Sequence, residues 1–118
     1  MPRVVRAFPL RSARSDLESF AAQLRGERAA EAVHFFRQYG VRSESWHLQD
    51  TPNGPWVIAI TELENPAEAA PRLADAIAGF DVWFKAQVLA VTGVDLNTTP
   101  LGPATTEVFG WADTEPRP

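Results

Sequence analysis

The segment Trp56–Leu63 (WVIAITEL) restricts this chain more than any other, because it is β-branched and apolar at both odd and even positions. A strand with one face in water alternates apolar and polar residues, whereas a strand apolar on both faces has to be covered on both. Upstream, Val41–Gln49 (VRSESWHLQ) has a period of two. Arg42, Glu44, Trp46 and Leu48 share one of its faces, and Val41, Ser43, Ser45, His47 and Gln49 share the other. Asp50–Pro55 (DTPNGP) lies between the two segments and is dense in turn residues. The spacing therefore predicts a β-hairpin with Asp50–Pro55 as its loop.

The remaining chain supplies helices and flanking strands. Arg3–Leu10 (RVVRAFPL) reads as a short strand ended by Pro9. Ser15 and Glu18 form a capping-box pair ahead of an apolar stripe of Leu17, Phe20, Ala21 and Leu24. Gly26 interrupts the stripe, as a kink or as a break between two helices. Ala32, Val33, Phe35, Phe36 and Tyr39 resume it, and Gly40 is the expected stop. Asn65-Pro66 opens a further helix that runs to about Ala78 despite Pro71. Asp81 heads another helix, with Trp83, Phe84, Val88, Leu89 and Val91, which Gly93 ends. Thr105–Trp111 reads as a last strand, and a polar, proline-ended tail starts near position 112.

The order predicts one α+β domain over residues 1–118, a ferredoxin-like βαββαβ sandwich with an extra helix. Its single antiparallel sheet carries helices on one face. The other face, with the apolar side of Trp56–Leu63 and rings such as Trp46, Phe109 and Trp111 nearby, is then expected to meet a second copy in a two-fold dimer.

Composition narrows the function classes. The chain is 45% hydrophobic with 4 Trp and 7 Phe, which excludes a disordered chain. It has no cysteine, which excludes disulfide scaffolds, zinc-thiolate sites, iron–sulfur clusters and thiol catalysis. Eleven basic against fifteen acidic side chains give a net charge of −4, which provides no footprint for nucleic acid or anionic lipid. Arg3, Arg6, Arg11 and Arg14 all precede Asp16, but the apolar residues between the first two favour a strand over a presequence. No run has the length of a membrane span, and Arg6 and Pro9 break any signal-peptide core, so a cytoplasmic protein is expected. Dinucleotide, P-loop and serine-elbow motifs are absent, and no cofactor is expected.

Four runs carry a resemblance to a known family: Phe80–Leu89 (FDVWFKAQVL), Thr92–Asp95 (TGVD), Tyr39–Gln49 (YGVRSESWHLQ) and Asn53–Trp56 (NGPW). Together the chain, from about Arg3 to Trp111, resembles a bacterial family of small uncharacterised proteins. Its element order is similar to the dimeric α/β-barrel superfamily, in which two ferredoxin-like protomers meet sheet to sheet. Relatives there include small monooxygenases, haem-degrading enzymes, lactone isomerases and plain ligand-binding or stress proteins. The resemblance implies a homodimer with a pocket between helices and sheet, and leaves the chemistry open.

Within that frame His47, on a strand, is the candidate catalytic residue, as a general base that a neighbour orients. The plainer reading is a satisfied histidine on a sheet face. His34, between Val33 and Phe35, reads as surface or packing. Lys85 is placed to hold an anionic group and Gln87 to orient it, against the plainer reading of Asp81 and Lys85 as an exposed helix pair. The candidate ligand-binding set is therefore Trp46, His47, Trp83, Lys85 and Gln87. The four tryptophans, at 46, 56, 83 and 111, read more simply as core or dimer filling. No metal site is expected. Glu44 and His47 fall on opposite strand faces, and Asp95-Leu-Asn97 lacks the glycine and glutamate of a calcium loop.

Three functions fit the residues: a homodimeric protein binding a small apolar or anionic metabolite, a small cofactor-independent monooxygenase or isomerase, and a structural dimer module without a ligand. The first is the expectation carried forward.

Overall fold

In the computed structural model, residues 2–101 and 103–116 are described. Met1, Gly102, Arg117 and Pro118 lie outside the described residues. The elements run β1 (Arg3–Pro9), α1 (Arg14–Arg25), α2 (Ala29–Gln38), β2 (Val41–Thr51), β3 (Gly54–Leu63), α3 (Pro66–Asp75) and α4 (Gly79–Thr92). The class is α+β. The sheet among the described residues has three antiparallel strands in the order β1-β3-β2.

The doubly apolar segment is β3, the central strand, hydrogen-bonded on both edges. Val57, Ala59 and Leu63 are buried beneath the helices, while Trp56, Ile58, Ile60 and Glu62 point the other way. Its neighbours follow in register. Phe8, Arg6 and Val4 of β1 pair with Val57, Ala59 and Thr61, and Leu48, Trp46 and Glu44 of β2 pair with the same three.

The hairpin is tighter than the turn-rich sequence suggests, because Thr51 already pairs with Gly54 and only Pro52 and Asn53 turn. The Thr51 hydroxyl closes it, donating to the Gly54 carbonyl at 2.6 Å and accepting the Asn53 N–H at 3.1 Å. Gly54 takes the positive φ of 104° that this turn needs.

Gly26 separates two helices rather than kinking one. The expected Ser15 cap does not form: α1 starts a residue earlier, at Arg14, with no side-chain cap. The Asp16 N–H instead bonds the Ala13 carbonyl at 2.9 Å. Gly93 ends α4 as expected, in a left-handed conformation with its N–H on the Leu89 carbonyl at 2.9 Å.

Residues 105–111 form no strand, contrary to the sequence reading. The Thr105 N–H donates to the Val5 carbonyl at 2.8 Å, and the chain beyond it is irregular. Val108, Phe109 and Trp111 are 95%, 84% and 78% exposed. Fixing the backbone of each residue costs about 1–2 kcal/mol, and these side chains bury too little surface to offset it.

The core lies between the sheet and α1, α2 and α4. Phe20, 1% exposed, is at its centre, with ring centroids 5.2 Å from Trp46, 5.3 Å from Phe84 and 5.5 Å from Trp83. Phe35 stacks on Phe84 at 4.5 Å and meets Tyr39 at 5.0 Å. Tyr39 in turn donates its hydroxyl to the buried Asp81 carboxylate at 2.8 Å, joining the end of α2 to the start of α4. No helix among the described residues is long and apolar enough to cross a membrane.

α3 is attached differently, for it has no buried residue. Lys85, 4% exposed on α4, reaches the carbonyl oxygens of Leu73, Ala74 and Ala76 at 2.9, 3.3 and 2.8 Å. The three ammonium hydrogens thus meet the carbonyl end of α3, where a positive charge is also favoured by the helix dipole. Lys85→Met is expected to lower stability by about 2–3 kcal/mol, the scale of hydrogen bonds to a charged group. Hydrogen exchange should quicken across residues 66–75 more than in α1 or β3. Uniform protection in the variant would show that α3 is held by something else.

Candidate ligand cavity

Between the sheet and the helices lies a cavity of ≈ 200 Å³. Its walls are Phe20, Phe35, Phe36, Phe84, Val88 and Val91 from the three packed helices, with Pro66, Ala69, Ala70 and Leu73 from α3 on one side. Its floor is the sheet. Two of the four α3 residues in the lining, Ala69 and Ala70, are small.

The floor is not wholly apolar. Arg6 of β1, Thr61 of β3 and Glu44 and Trp46 of β2 all line it. Register brings them together: Glu44 lies directly opposite Thr61, while Arg6 and Trp46 flank Ala59 from its two sides. One carboxylate oxygen of Glu44 accepts the Thr61 hydroxyl at 2.6 Å, and the other accepts the Trp46 indole N–H at 2.8 Å. Burial raises the Glu44 pKa above the ordinary carboxylate value, outweighing these two hydrogen bonds and the opposing charge of Arg6. Burial also lowers the Arg6 pKa, which the Glu44 charge partly restores.

A bulge shapes the near end of this floor. The pairing shifts between Val41 and Ser43, so Val41 and Glu44 both line the cavity. Strict alternation would have put them on opposite faces.

Of the five residues expected to bind a ligand, Trp46 alone lines the cavity. His47, in register with Ile58, projects from the other face of the sheet. It is exposed, with its Nε2 3.1 Å from the Ser45 hydroxyl. Lys85 is occupied by the α3 carbonyls. Trp83 packs under the Arg28 guanidinium, 4.1 Å from the ring centre, and against Phe80 at 5.4 Å. Gln87 is partly buried on α4, away from the cavity lining. The structure therefore does not bring His47, Lys85 and Gln87 together. Trp56 is 36% exposed on the outer sheet face, so its removal creates no sealed core cavity.

The sequence reading missed Glu44, Arg6 and Thr61 as a group. The signal was a polar residue at an inward position on each strand: Arg6 between Val4 and Phe8, Glu44 beside Trp46, and Thr61 between Ala59 and Leu63. In comparisons with family models, curated proteins and solved structures, nothing matches this chain.

The raised Glu44 pKa has a sign that can be checked. Between the ordinary carboxylate value and its own, folded Glu44 holds a proton that the unfolded chain has released. Its contribution to stability is therefore fully present below the unfolded pKa and is lost as pH rises through the folded one. Glu44→Gln removes this term, and denaturant titrations from pH 4 upward should show the parent losing stability relative to the variant as pH rises. A parallel pair of curves would mean that Glu44 is as well solvated as in the unfolded chain.

Proposed function

We propose that the protein is a homodimeric small-molecule-binding protein of the dimeric α/β-barrel type, with a ferredoxin-like protomer. The observation that carries the reading is the cavity itself: ≈ 200 Å³, walled by aromatic and aliphatic side chains, with one compact polar group on its floor. Cavities with a mostly apolar lining and a few convergent polar groups are the usual form of a small-molecule site. An apolar cavity of about 150 Å³ takes up benzene from water, so this one has room for a single-ring guest.

Dimerisation rests on the opposite face of the sheet. Val5, Ile58, Ile60 and Trp56 lie there, and α1, α2 and α4 contribute their buried side chains to the other side. The exposed Val108, Phe109 and Trp111 leave the protomer beside β1, where Thr105 meets Val5. A second copy related by a two-fold axis covers both apolar surfaces at once and gives residues 105–111 the strand partner that they lack in one protomer.

Both halves are measurable. Toluene, as a probe, should raise the melting temperature in a saturable way, because it binds the folded chain alone. Light scattering at micromolar concentration should give twice the 13.0 kDa chain mass, and Ile60→Lys should halve it. A monomeric parent removes the dimer, and a melting point indifferent to toluene removes the cavity as a binding site.

A further inference from the structure

We propose that the cavity takes a neutral, single-ring or similarly compact apolar molecule with one hydroxyl group, and that this hydroxyl donates to the Glu44 carboxylate. The inference rests on the cavity being a binding site, and it concerns what the floor selects.

Most polar atoms of the lining are already committed. The Tyr39 hydroxyl donates to Asp81 at 2.8 Å, and the Thr92 hydroxyl donates to the Val88 carbonyl at 2.7 Å. On the floor, the Thr61 hydroxyl and the Trp46 indole N–H both give their hydrogens to Glu44. Neither has a hydrogen left for a guest. A carboxylate, in contrast, has room for about four hydrogen bonds, and Thr61 and Trp46 supply two donors. The Arg6 guanidinium, the other donor on the floor, is itself engaged within the protein, so the Glu44 end of the floor offers acceptors and suits a guest that brings a donor.

Charge sets the second condition. Arg6 and Glu44 line the same floor, and each acts on the pKa of the other. An anionic guest attracted to Arg6 also faces the Glu44 carboxylate, a cationic guest attracted to Glu44 also faces the guanidinium, and either gives up its hydration on entry. In surroundings of low polarity both encounters cost more than in water. A neutral guest avoids both. The aromatic walls and the volume set the third condition, a flat apolar body of about one ring. A phenol or a compact alcohol meets all three.

The test uses the full chain and three probes of nearly equal shape: p-cresol, toluene and p-toluate. The indole N–H of Trp46 donates to Glu44 and so reports on the site directly. Its resonance in an ¹H–¹⁵N spectrum is assigned by its loss in Trp46→Phe. p-Cresol should move it and bind about ten-fold more tightly than toluene. In Glu44→Gln, an isosteric variant without the charge, that preference should shrink to about two- or three-fold. The comparison of probes on the unaltered chain stands even if the variant folds poorly. Equal affinity for toluene and p-cresol, or tighter binding of p-toluate, would overturn the hydroxyl assignment while leaving the cavity as a binding site. Failure of all three probes to move the Trp46 resonance would overturn the cavity reading as well.

Discussion

β3 is hydrogen-bonded along both edges and apolar on both sides, and the other elements take their places from that constraint. Its inward residues Val57, Ala59 and Leu63 accept the helices. Its outward residues Trp56, Ile58 and Ile60 form an apolar surface on the far side. The β1 and β2 partners are set by register against it, so the identity of the cavity floor follows from strand pairing. Displacing either edge strand by one residue would turn Arg6 or Glu44 out of the cavity.

The polar group on the floor costs stability. A carboxylate moved out of water loses hydration that two hydrogen bonds and one neighbouring charge only partly replace. The raised pKa of Glu44 is the visible sign of that deficit. Apolar side chains at positions 6, 44 and 61 would fill the same sheet at lower cost. Retaining polar residues on all three strands therefore fits a role in recognition better than a role in packing.

The sequence disclosed the hairpin, the two-faced β3, the helix stops at Gly40 and Gly93 and the shared face of Trp46 and Glu44, although it set Trp46 beside the outer sheet face rather than under the helices. These are local patterns, set by a period of two or by glycine's freedom at positive φ. It did not disclose the cavity group, because Arg6, Glu44 and Thr61 become neighbours only through the registers of two separate strand pairs. His47 drew attention as one of only two histidines, yet it sits one residue from Trp46 and therefore on the other face. Thr105–Trp111 has the composition of a strand, but strand formation depends on a partner edge, which no local pattern contains.

Lys85 grips α3 by main-chain carbonyls, a group that every residue possesses. The Lys85 part of this wall's anchorage is therefore independent of side chains, while Leu73 against the core and Arg72 over the Tyr39 ring add side-chain contacts. Ala69 and Ala70 can be exchanged for larger residues without touching the Lys85 hydrogen bonds. Attachment through Lys85 and shape through Ala69 and Ala70 are thus encoded by separate positions, so the volume of the cavity can be changed on that wall without loosening the Lys85 grip.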